Sequence, residues 1–142
     1  MKALARPAPL LLFALLLGAC ASEPAGDRFT YVVRYAVSGT ITAAMDITYT
    51  DAAGAPVTVA GVTAPWSLDL PSMDYDYDNP FAPSLRVFNT SLADGESFTP
   101  SISWLDYAVD FQPEVLADQP TSNASGGAVA PDITLVSPPL PL

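Results

Sequence analysis

The sequence predicts an all-β protein: one antiparallel β-sandwich of about seven strands, preceded by a cleaved signal peptide. Three observations predict it. Short runs alternate apolar and polar residues with a period of two, the mark of strands with one buried face. Turn signals at Ser38-Gly39, Asp51-Ala52-Ala53-Gly54 and Asp94-Gly95 interrupt these runs at roughly the spacing of a sandwich. The 142 residues include 15 prolines and 8 glycines, only 14% are charged, and no long helical pattern occurs. A hydrophobic fraction of 50% suffices for one core. A small closed barrel would use the same strands and is the alternative architecture.

Residues 1–19 read as a targeting segment. Lys2 and Arg6 supply a positive start, Leu10 to Leu17 a short apolar stretch, and Gly18-Ala19 the small residues before a cleavage point. The apolar stretch is well short of the ~20 residues that a permanent membrane helix needs. Leu17-Gly18-Ala19-Cys20 resembles the lipobox of bacterial lipoproteins, which implies that the sulfur of Cys20 receives a diacylglycerol, that the chain is cut before it, and that the new amino group is acylated. The alternative is an ordinary secretory signal with Cys20 incidental. Two or more acyl chains at ~0.8 kcal/mol per buried methylene hold a protein firmly, whereas one holds it only marginally. Cys20 is the only cysteine, so an anchored Cys20 leaves none for a disulfide in the domain. Alanine at position 21, where lipoproteins retained at the inner membrane often carry aspartate, implies by the same resemblance an outer-membrane destination facing the periplasm.

Residues 20–28 form the lipidated cysteine and a short polar tether, and the sandwich is expected over 29–116. Phe29, Tyr31, Val33, Tyr35 and Val37 share one face of the first strand. Met45, Ile47 and Tyr49 share a face of the second, with Asp46, Thr48 and Thr50 opposite. After the Asp51–Gly54 turn, Val57 and Val59 are in phase in a third strand, and Pro65 introduces Trp66, Leu68 and Leu70 in a fourth. Leu85-Arg86-Val87-Phe88-Asn89-Thr90-Ser91-Leu92 reads as apolar on both faces and so as a central strand. SFTPSISW and YAVDFQ, separated at Asp106, close the domain as a hairpin. Trp66 and Ile47 are expected to lie buried between the sheets. Residues 117–142 are expected to be a proline-, serine- and glycine-rich tail, with an edge strand at 132–136.

The order YAVSGTITAAMDITYTDAAG, APWSLDL, LRVFNTS and SISW/YAVDF is similar to the MmpS family, small mycobacterial membrane proteins that accompany lipid and siderophore exporters. The likeness spans about Tyr31 to Phe111 and implies an immunoglobulin-like sandwich with a transport-accessory role and no catalytic residues. The lipobox stands where mycobacterial members carry a membrane helix.

Chemistry is sparsely signalled. Histidine is absent, which removes the usual general acid/base and the usual partner of an activated serine or cysteine. No enzyme is expected. The formal charge is −10, and loss of the signal would leave Arg28, Arg34 and Arg86 against 15 carboxylates. Such a surface repels nucleic acid and anionic head groups, so membrane contact would be through the lipid alone. The most suggestive stretch is MDYDYDNP, in which Asp74, Asp76 and Asp78 alternate with Tyr75 and Tyr77. Calcium would relieve their mutual repulsion, but Asn79 and Leu85 stand where an EF-hand loop needs glycine and glutamate. A solvated acidic loop, kept out of the sheet by Asn79-Pro80 and Pro83, is the other reading. These three aspartates are weak metal candidates, and no resident cofactor is expected. The function expected is that of a non-enzymatic, lipid-anchored envelope module engaging an envelope protein or transporter through a sheet face or edge. The alternative is an acidic inhibitor of a basic envelope hydrolase, or a cation- or ligand-binding lipoprotein.

Overall fold

A computed structural model describes residues 30–74, 76, 78–106, 114–124 and 127–138. The signal peptide, Cys20, the tether, Tyr75, Tyr77 and the YAVDFQ segment lie outside the described residues. Ten strands occur among those described: β1 (Thr30–Gly39), β2 (Met45–Thr50), β3 (Pro56–Val62), β4 (Trp66–Asp69), β5 (Met73–Asp74), β6 (Ser84–Phe88), β7 (Ser97–Asp106), β8 (Glu114–Asp118), β9 (Thr121–Ser122) and β10 (Ile133–Val136). They form two antiparallel sheets packed as a sandwich. One runs β4-β1-β7-β8, with β5 added to β1 and β9 to β7; the other runs β10-β6-β2-β3. The excess over about seven comes from short pieces such as β5 and β9, each two residues long, which extend pairings made by longer strands.

The spine of the first sheet is β1 against β7, paired from Tyr31↔Asp106 to Gly39↔Phe98. Tyr31, Val33, Tyr35 and Val37 point into the core, as period-two alternation requires. They meet Met45 and Ile47 of β2, Leu85 and Val87 of β6, Phe98 and Ile102 of β7, and Ile133 and Leu135 of β10 in one cluster. Each such side chain taken wholly from water contributes about 1.5–3 kcal/mol. Tyr35 sits at the centre, fully buried, and its hydroxyl donates to the Thr50 carbonyl at 2.8 Å, so its one polar atom is satisfied. Gly39 ends β1 at φ 133°, where a Cβ would lie 2.3 Å from the Ser97 carbonyl oxygen and 2.6 Å from Phe98 Cα. Only glycine lets the two backbones approach this closely.

The β2–β3 turn forms as its sequence indicates. Asp51 Oδ1 accepts the N–H groups of Ala53 at 2.9 Å and Ala55 at 2.8 Å, and Gly54, at φ 81°, closes the turn onto the Asp51 carbonyl. β6 is an interior strand, between β10 and β2. It is not apolar on both faces, however: Leu85 and Val87 are buried, whereas Arg86 is exposed, lies over the Phe88 ring and pairs with Asp132.

Two further expectations need correction. Trp66 is only half-buried, because β4 is an edge strand and its ring is tilted against Tyr49 at 6.4 Å instead of being enclosed by both sheets. Ile47 is fully buried as expected, and the largest side chains wholly enclosed between the sheets are Tyr35 and Phe98. A domain end at 116 would divide β8, and the described residues beyond it are woven into the sandwich: β9 joins β7, β10 joins β6, and Val129 bridges Leu92. Buried Asn123 fastens this part, donating from Nδ2 to the carbonyls of Leu92 (3.0 Å) and Gly127. β10 lies at the sheet edge as Ile133–Val136.

Candidate functional site

The acidic segment is positioned by β5. Met73 and Asp74 pair with Tyr31 and Thr30 at the start of β1, so the chain leaves the sheet only after Asp74. The Thr30 hydroxyl donates to Asp74 Oδ1 at 3.2 Å. Asp76 turns onto its own backbone, its Oδ1 accepting the N–H groups of Asp78 (3.0 Å) and Asn79 (3.3 Å), a local Asx-type turn. Asp78 is exposed. The three carboxylates thus sit in three different settings: on a strand, folded into a turn, and in solvent. Among the described residues no group of three or more metal-ligating side chains comes together.

An open cleft of about 410 Å³ separates this segment from the β2–β3 turn, with Tyr31, Thr50, Gly54, Asp74, Asp76 and Phe81 among its walls. Its walls combine two aromatic residues, Tyr31 and Phe81, with two aspartates, Asp74 and Asp76. A second opening of about 430 Å³ lies between Ala44, the Asn89-Thr90-Ser91 corner and Ala130–Asp132. Asn89 there holds a left-handed backbone at φ 52°, and its side chain donates to Asp46 Oδ2 at 2.8 Å. The buried Thr90 hydroxyl has no hydrogen-bond partner among the described residues.

Charges are managed in pairs. Arg34 binds Asp69 through Nε at 2.6 Å and Nη2 at 2.8 Å, joining β1 to β4; Arg86 binds Asp132 through Nε at 2.8 Å and Nη2 at 2.6 Å, joining β6 to the start of β10. The guanidinium hydrogen bonds hold both aspartates below the usual carboxylate range. Asp46 is also lowered, by the Asn89 amide and then by the Gly61 N–H, and Glu96 by the Thr42 hydroxyl and the Ala93 N–H. Burial pushes the Tyr35 hydroxyl far above the ordinary tyrosine value.

The feature that local sequence reading does not locate is the pair of edges β3 and β4. The inward residues Val57, Val59, Trp66 and Leu68 stay half-exposed, and Tyr49 lies between them, with ring centroids 5.5 Å from Tyr35 and 6.4 Å from Trp66. Alternation marks all of these as inward-facing. Their partial exposure depends on what stands opposite, which no local signal encodes.

No helix among the described residues is long and apolar enough to cross a membrane. No curated protein matches the chain. Residues 24–76, a stretch that includes β1 to β5, match the model of a family described as Mycobacterium membrane protein, and over that stretch the chain is similar to this MmpS-like family.

Proposed function

We infer that this chain is a non-enzymatic envelope protein, held by lipid on Cys20 and serving as an interaction or transport-accessory module, at the outer membrane on its periplasmic side. The observation that carries the reading is the family match over residues 24–76, whose family description is of membrane proteins, in a chain with a lipobox-like Leu17–Cys20 just upstream. A sandwich on a short tether suits the role, because it presents edges and faces at a set height above the lipid. Partners are other envelope proteins or a transporter, and nucleic acid is not one, given the formal charge of −10. Loss of the anchor is the test. The wild-type chain should partition into detergent with an acylated amino terminus, and Cys20→Ser should accumulate as precursor or as a soluble form. A wild-type chain recovered free of lipid from the periplasm would refute the reading.

One observation favours a second reading, as an acidic inhibitor or ligand-binding lipoprotein: the cleft whose walls include Asp74, Asp76, Tyr31 and Phe81. Under that reading, binding to basic envelope hydrolases would collapse between low salt and about 0.5 M salt, where the Debye length shrinks to a few ångströms.

A further inference from the structure

Among the described residues the two sheet orders end in β4 and β8 and in β10 and β3, with the two-residue β5 and β9 as short additions to the first, and three of these four end strands carry devices against pairing with another chain. β4 has four residues, follows Pro65, and ends at Asp69 in its ion pair with Arg34. β8 begins with Glu114 and ends with Asp118. β10 has four residues between Pro131 and Pro138, beside the Arg86–Asp132 pair. Charges, prolines and short length are the usual means of blunting an exposed edge. β3, with seven residues, PVTVAGV, carries no charge, and its only proline is its first residue.

The backbone of β3 shows which groups are open. Asp51 N–H donates to the Ala55 carbonyl at 2.8 Å, and pairing then runs Thr50↔Pro56, Tyr49↔Val57, Thr48↔Thr58 and Ile47↔Val59. Antiparallel alternation directs the N–H and C=O groups of Val57 and Val59 toward β2, and the Pro56 carbonyl and both backbone groups of Thr58 outward. Past Val59 the register shifts, and Gly61, at φ 70°, gives its N–H to Asp46 Oδ1. That bulge bends the strand and ends the flat part of the edge. The usable window is therefore Pro56 to Ala60. It borders the half-exposed seam of Val57, Val59, Trp66 and Leu68, which inward side chains of an added strand would cover.

Charge identifies the occupant. Asp51 stands at one end of the window and Asp46 at the other, and neither is in an ion pair, because both described arginines are taken by Asp69 and Asp132. A second copy pairing β3 with β3 would bring aspartates toward aspartates and add its own formal charge of −10. We propose that the β3 edge, Pro56 to Ala60, is a docking site for an extended segment of a partner protein that adds as an antiparallel strand, with apolar residues alternating over the β3–β4 seam and a lysine or arginine near each end. This deepens the proposed accessory role and rests on it.

The test uses the full chain in detergent and a synthetic probe, Lys-Val-Thr-Val-Thr-Lys, long enough at ~3.4 Å per residue to span the window. Hydrogen exchange should slow at the Thr58 amide by about tenfold or more at saturating probe, with no change at β8 or β10. A probe N-methylated at alternate residues lacks the ladder donors and should lose this protection, as should one ended with glutamates. In the protein, Thr58→Pro removes the outward donor together with the amide that the exchange reads, so probe binding is followed there by calorimetry and should be lost. Thr58→Val keeps the donor and loses only the hydroxyl bond to Thr48, 2.7 Å long, and should retain it. The methylated probe decides the matter on wild-type protein if Thr58→Pro does not fold. Protection with glutamate ends or with the methylated probe, protection elsewhere only, or none at all overturns the proposal. So does a probe-free dimer in sedimentation with Thr58 already protected, which would make a second copy the occupant. Failure here leaves Cys20 lipidation intact, and an unlipidated wild-type chain would leave the edge result standing.

Discussion

The two edges of the four-stranded sheet were built from the same pattern and came out differently. β10 and β3 both alternate, both end the sheet, and both turn aliphatic side chains toward the opposite sheet. In β10 those side chains are buried, Ile133 and Leu135 at 6% exposure each, whereas Val57 and Val59 of β3 are half-exposed. The difference lies across the sandwich. β10 packs on β7 and β8, so its inward face meets a second layer, while β3 makes its principal contacts with β2. Alternation sets which way a side chain points, and the facing layer sets what that orientation contributes to stability.

The largest expected effect separates the β10 edge from the seam between the β3 and β4 edges by mutation. Leu135→Ala should cost about 2–5 kcal/mol, the range for a leucine truncated in a closed core. Trp66→Ala, at the open seam, should cost about 1–2 kcal/mol despite the larger side chain, below the ~3–5 kcal/mol typical of a buried tryptophan. Urea denaturation with unchanged slopes measures both. Equal costs would mean that the β3–β4 seam is as closed as the β10 side.

A smaller effect concerns pH, and it has two limbs of different origin. The Tyr35 hydroxyl, raised by burial, stays protonated in the folded chain where the unfolded one ionises. Its stability contribution is therefore present below pH 10.0 and declines above it, by about 1.4 kcal/mol per pH unit. Tyr35→Phe should remove that slope, at the cost of the bond to the Thr50 carbonyl. On the acid side Asp69, Asp132, Asp46 and Glu96 are all lowered, so their contributions are present above the unfolded values of 3.8 and 4.5 and fade as pH falls through the folded ones. Asp69 and Asp132 are exposed and Asp46 and Glu96 only half-buried, so solvent screening should keep this limb shallow. Hydrogen exchange should show β4 and β10, the edges tied by Asp69 and Asp132, loosening first. Global unfolding near pH 5 would contradict this.

Much of the sandwich was legible because period-two patterns survive any arrangement of the sheets. The inward faces of β1 and β2, the Asp51–Gly54 turn and the strand near 132–136 all follow from local sequence. Sheet order does not, and it decided that Trp66 sits on an edge while Tyr35, one residue among several in the β1 pattern, holds the centre. Asn123 was illegible for the same reason, since its partner Leu92 lies 31 positions away and nothing near either residue announces the other. The open β3 edge had a local trace in the absence of charge from PVTVAGV. Recognising its meaning requires the other three edges for contrast.

The smallest expected effect tests the acidic segment against the seam as a place for ligands. Alternate aspartates in an extended chain would share one side, which suggested a cation site, but Asp74 is held on β5 by Thr30 while Asp76 folds back onto the N–H groups of Asp78 and Asn79. To gather on calcium, Asp76 would have to release its turn and Asp74 its strand position. Calcium binding with six to eight oxygen ligands repays such rearrangement only when several carboxylates converge. Calcium should therefore raise the melting temperature no more than sodium chloride of equal ionic strength, since screening of repulsion is then its sole action. A calcium-specific rise at sub-millimolar concentration, absent in Asp74→Asn/Asp76→Asn/Asp78→Asn, would show that the segment reorganises around a cation. The cleft beside it, rather than the β3 edge, would then be the principal binding surface of the molecule.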